Sequence, residues 1–136
     1  MLTIAANDSF TPVAKVGTTT QNASIEVGEW SKVGKTVTFT LVVSFTKSGT
    51  GNLTIEGLPY VGKNVSNLTQ TFVLSEFQGI QVGDPYGSVS VLKAVLDPNT
   101  DVLKIEQATY SGSSAIDDTD LDSTVIINIT GSYITN

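Results

Sequence analysis

The chain has 136 residues, 40% of them apolar and 15% charged, with 33 serines and threonines, no arginine and a net charge of −6. That length holds one domain, too apolar for disorder and too sparsely charged for a coiled coil. An acidic chain without arginine is a poor reader of DNA, so no nucleic-acid partner is expected. With neither Cys nor His there is no disulfide, no Ser-His or Cys-His catalysis, and no zinc or haem site of the usual kinds.

In chain order, residues 1–22 come first. They lack the basic start and apolar stretch of a secretory signal. Pro12, Gly17 and the polar run 18–22 break any long strand, so this segment reads as an extended arm. Its apolar residues Leu2, Ile4, Phe10, Val13 and Val16 are spaced as anchors for a neighbouring molecule. A domain over residues 23–136 follows.

Strand-like runs cover residues 24–30 and 36–46. In the second, Val37, Phe39, Leu41, Val43 and Phe45 alternate with Thr and Ser, the pattern of a half-buried strand. The stretch 37–45 is far short of the roughly 20 apolar residues of a membrane helix, so no membrane insertion is expected. Residues 48–52, rich in Gly and Ser, read as a loop joining two antiparallel strands. Further runs are 53–56, 69–75, 79–82, 88–96 and 102–108. The turns at residues 84–87 and 97–100 each hold a proline as second residue. In the first of these, Tyr86 is the aromatic best placed for an exposed contact. In the last run Val125, Ile127, Ile129 and Tyr133 share one parity.

About eight short strands at this spacing predict an all-β fold, an antiparallel β-sandwich or jelly roll. Phe39, Leu41, Val43, Val125, Ile127 and Ile129 are the expected core. Val42, Leu92, Ala94 and Leu96 fall on the other parity and are candidates for a contact between subunits.

Among groups that carry chemistry, Asp117, Asp118, Asp120 and Asp122 are the densest. Counted from Asp118 as an EF-hand loop, they place Ser123 where glycine belongs and Ile129 where glutamate belongs. A solvated acidic loop is the plainer reading. Glu26 and Glu29 have opposite strand parity, so they do not form the carboxylate pair of a glycosidase. Trp30 borders a strand and reads as packing. No enzyme and no cofactor are expected.

Three segments remain: Gly28-Glu29-Trp30-Ser31-Lys32-Val33-Gly34-Lys35-Thr36-Val37, Gly51-Asn52-Leu53-Thr54-Ile55-Glu56-Gly57-Leu58-Pro59-Tyr60, and Thr130-Gly131-Ser132-Tyr133-Ile134-Thr135. Their succession resembles a β-sandwich module of tailed-bacteriophage structural proteins, often found at tail-fibre tips. The resemblance spans roughly residues 25–135, with 65–120 matched in length and strand rhythm alone. It implies a homotrimer on the outer surface of a virion, without catalysis. A chain that starts at its own Met1 with only a short arm fits a capsid decoration or cement protein. Its arm would then hold the major capsid protein or another virion protein. The alternative is a receptor-binding fibre tip that contacts host-surface glycan.

Overall fold

Period-two patterning turns most of the described residues into strands. The structure, a computed structural model, describes residues 6–81, 91–109 and 112–136. Within them lie eleven strands: β1 (Ala6–Phe10), β2 (Val13–Val16), β3 (Thr19–Thr20), β4 (Asn22–Val33), β5 (Thr36–Thr46), β6 (Leu53–Glu56), β7 (Gln70–Ile80), β8 (Val91–Leu96), β9 (Leu103–Thr109), β10 (Gly112–Ala115) and β11 (Leu121–Ile134). A one-turn 3-10 helix, Asp118–Asp120, precedes the last strand. The class is all-β, as the alternation predicts, with eleven strands instead of about eight.

Every strand pairing is antiparallel, and the order is β1-β4-β5-β11-β7-β8-β9-β6-β2-β3, with β10 on β9. The sheet is one curled path, and β7 is the strand that bends it. Residues 70–73 of β7 pair with β8, whereas residues 74–80 pair with β11. Two runs read separately from the sequence, 69–75 and 79–82, are therefore largely one eleven-residue strand. The loop at 48–52 is not a hairpin, because β5 and β6 sit in different parts of the path.

The sheet curls around one apolar core. Phe39, Leu41, Val43, Val125, Ile127 and Ile129 are all buried. Leu41 lies opposite Ile129 and Val43 opposite Ile127, so these rows are side by side on paired strands. The other wall comes from β2, β6, β7, β8 and β9, through residues such as Val16, Ile55, Phe72, Leu96 and Ile105. This corrects one expectation: Leu92, Ala94 and Leu96 are core residues, not a contact between subunits. On β8 the even positions point inward, which a parity assigned from β5 does not reveal. Only Val42 of that group is outward and half-buried.

The expected arm is also revised. Residues 6–20 supply three strands of this chain's own sheet. β1 pairs with β4, and β2 pairs with β6, placing Ala14 and fully buried Val16 in the core. Pro12 and Gly17 do interrupt a long strand, but each break falls at a corner. Pro12 lies where the chain crosses from the β4 side to the β6 side, and Gly17 lies in the turn between β2 and β3.

Candidate functional site

The three segments that carry the phage-module resemblance converge on one aromatic cluster. In β4, a Cβ added at Gly28 would lie 2.7 Å from the ring of Phe10, so glycine makes room for β1 to lay that ring against the sheet. Two residues on, Trp30 meets Tyr60 edge to face at 5.2 Å, and the Lys32 ammonium sits 4.9 Å from the Tyr60 ring centre. In β11, a Cβ at Gly131 would lie 2.4 Å from the ring of Phe72. That ring packs edge to face on Phe39 at 5.2 Å, and Phe39 on Tyr133 at 5.8 Å. The Tyr133 hydroxyl reaches the backbone of Tyr60, donating to its carbonyl at 2.8 Å and accepting from its amide at 3.2 Å. Burial pushes the Tyr133 phenol up to about 12. These residues are packing. Tyr133 is 1% exposed and offers no ring to a ligand, whereas Trp30 is half-buried against the core and borders a shallow depression.

The acidic loop is built more tightly than a solvated stretch would be. Asp117 caps the 3-10 turn, accepting from the amide and hydroxyl of Thr119, while Asp120 accepts from the Asp117 amide at 3.0 Å. The Thr119 hydroxyl and amide beside Asp117 hold its carboxyl below the usual range. Asp118 accepts from the Gly51 amide at 2.9 Å and returns its own amide to the Gly51 carbonyl. Of the four acids only Asp122 is exposed; the other three are half-buried. The cation at this loop is a lysine. Lys47 Nζ donates to the carbonyls of Asp118 and Leu121, at 3.3 and 3.2 Å. Among the described residues no cluster of acids has the arrangement of a metal site.

The outward side of β4, β5 and β11 is the broadest surface in this part of the sheet. It holds a shallow depression of about 290 Å3, lined in part by Glu29, Ser31, Thr38, Thr40 and Thr130. The hydroxyls there bond to one another across strands, Thr38 to Ser132 at 2.9 Å and Thr40 to Thr130 at 2.8 Å. Beside them stand Ile25 and Val27, 45% and 51% exposed.

The residues expected to make contacts are scattered by the fold. Val16 is core, Val13 is half-buried in β2, and Phe10 is half-buried over Gly28. Leu2, Ile4 and Tyr86 lie outside the described residues. Of the outward β4–β5–β11 surface, the sequence reading reaches only one residue, Val42. Among the even positions of residues 36–46, the sequence singles out Val42 alone as a contact; the others are Thr and Ser, the polar side of a half-buried strand.

No family model matches the chain, and neither does any curated protein. A solved structure does: the crystal structure of the Dettilon tailspike protein superposes with a TM-score of 0.72 at 19% identity. The likeness is one of fold. It covers 97% of this chain and 24% of the tailspike, so the chain spans about a quarter of that protein's length.

Proposed function

We propose that this chain is a structural module of a tailed-phage virion, assembled as a homotrimer and displayed on the tail side of the outer surface. In this reading it serves as a receptor-binding part that contacts host-surface glycan. The observation that carries the reading is the fold shared with a tailspike segment over 97% of the chain. In this reading the module binds its glycan and does not cleave it, and release of sugar from host polysaccharide by the purified chain would overturn that part.

The capsid-decoration reading, which the sequence analysis puts first, takes residues 1–22 as a free lattice-binding arm. With β1, β2 and β3 paired inside the chain's own sheet, that support falls away for residues 6–20. The experiment is immunogold electron microscopy of purified particles, with antibody raised against this chain. Gold at the tail end supports the proposal. Gold spread over the capsid shell transfers the chain to a decoration role, and unlabelled particles overturn both.

A further inference from the structure

We infer that the outward face of β4, β5 and β11 is where a second copy of this chain packs. This adds the surface to the self-assembly part of the proposed function and argues from the face alone. The registers arrange the outward side chains in six rows: Val33–Thr36–Ile134, Ser31–Thr38–Ser132, Glu29–Thr40–Thr130, Val27–Val42–Asn128, Ile25–Ser44–Ile126 and Asn22–Thr46–Thr124. Only Glu29 in these rows is ionisable.

The opposite side of the molecule differs. The outward positions of β2, β6, β8 and β9 hold Lys15 with Glu56 at 3.2 Å and Lys93 with Glu106 at 3.9 Å. Lys104 reaches Asp97, just beyond β8, at 2.7 Å. One outward face thus carries ion pairs suited to water, and the other carries only separate carboxylates, Glu29 and, on β7 opposite Asn128, Glu76.

For a chain of net charge −6, a second copy is the partner that gains most from such a face. Two acidic molecules repel wherever their charges meet, and this face limits that repulsion to Glu29 and Glu76. Drying would cost less at the centre of the face, because Thr38 and Ser132, and Thr40 and Thr130, already bond to each other. Ile25, Val27, Val42 and Ile126 supply the apolar centre. The size also fits. Over the eleven residues of β5, the strands β4, β5 and β11 span roughly 36 by 14 Å, and the shorter β1 with the later half of β7 brings the footprint to about 700 Å2. A standard interface takes about 800 Å2 from each partner.

Sedimentation equilibrium of the chain tests this. The wild type is expected to weigh a multiple of 14.3 kDa at micromolar concentration. Val27→Glu, at a half-exposed position, is expected to weaken association about tenfold or more while the melting temperature of the dilute protein holds. If that variant fails to fold, Thr40→Lys at an exposed position serves the same purpose. Val73→Glu, 66% exposed on the opposite face, is the control and leaves the mass unchanged. A wild type that stays a single chain overturns the inference. So does a folded Val27→Glu or Thr40→Lys that associates like wild type, a control that dissociates equally, or a monomer whose face is taken by oligosaccharide. The particle role fails separately: a chain that associates through this face yet labels no virion retires only that role.

Discussion

The Tyr133 hydroxyl donates to the Tyr60 carbonyl and accepts from the Tyr60 amide, so one phenol occupies both polar groups of one backbone residue. The two residues lie 73 positions apart. The bond pair fastens the Gly57-Leu58-Pro59-Tyr60 turn to the last strand, and it does so where Leu58 and Tyr133 are buried.

Tyr133→Phe keeps the ring and strands both groups of Tyr60. Leaving a buried donor or acceptor unpaired costs about 1–3 kcal/mol, and urea denaturation is expected to show a loss in that range.

The same phenol makes stability depend on alkali. Its folded value, about 12, lies above the ordinary 10, so the folded state favours the neutral form. The contribution is whole below the ordinary value and is lost as pH rises through the folded one. Melting curves across that window should fall more steeply for wild type than for Tyr133→Phe. Parallel slopes would assign the pH dependence to other groups.

Phe39 is 2% exposed and touches the rings of Phe72 and Tyr133. Phe39→Ala is expected to cost about 3–5 kcal/mol in chemical denaturation, the range for truncating a buried Phe.

The two close-packed glycines should differ. Gly131→Ala drives a methyl into Phe72, which is held between Phe39 and Tyr133, and is expected to cost about 1–3 kcal/mol. Gly28→Ala meets Phe10, on an edge strand that can shift outward, and should cost less. Melting temperatures of the two variants rank them directly.

Truncation separates β1 from β2. Removal of residues 1–10 takes away an edge strand and is expected to leave a folded protein by circular dichroism. Removal of 1–22 also takes Ala14 and Val16 out of the core and strips β6 of a partner, so that chain should lose its cooperative transition.

Lys47→Met removes the ammonium from the Asp118 and Leu121 carbonyls. The site is half-buried and water can replace part of the interaction, so a loss of about 1 kcal/mol is expected. Calcium should leave the wild-type melting temperature in place; a rise of many degrees would show that a metal ion displaces the lysine.

The sequence made β5 and β11 plain because each is covered on one side only, and the inner parity then repeats without interruption. Residues 91–96 were harder, since Val95 is buried as well as Leu92, Ala94 and Leu96, and both parities are apolar. The early strands were hidden by Pro12 and Gly17, which mark corners and gaps alike. Lys47 could not be matched to the acidic loop by any local pattern, because its partners lie more than seventy residues away. The aromatic cluster is the intermediate case. Trp30, Tyr60 and Tyr133 stand in the three segments quoted from the sequence, but Phe10, Phe39 and Phe72 do not, and only the fold brings them together.

The position of β11 has a bearing on synthesis. It follows every other strand in the chain, yet it lies between β5 and β7 near the middle of the path. While residues 121–134 are still inside the ribosome, β5 and the later half of β7 each have a bare edge, with Phe39, Leu41 and Val43 waiting along one of them. Strands built from such distant partners close slowly and are open to wrong pairings in the interval. Neighbouring nascent chains on one message would hold the same bare edges at close range, and the interval between the emergence of β5 and that of β11 is when those edges are open to one another.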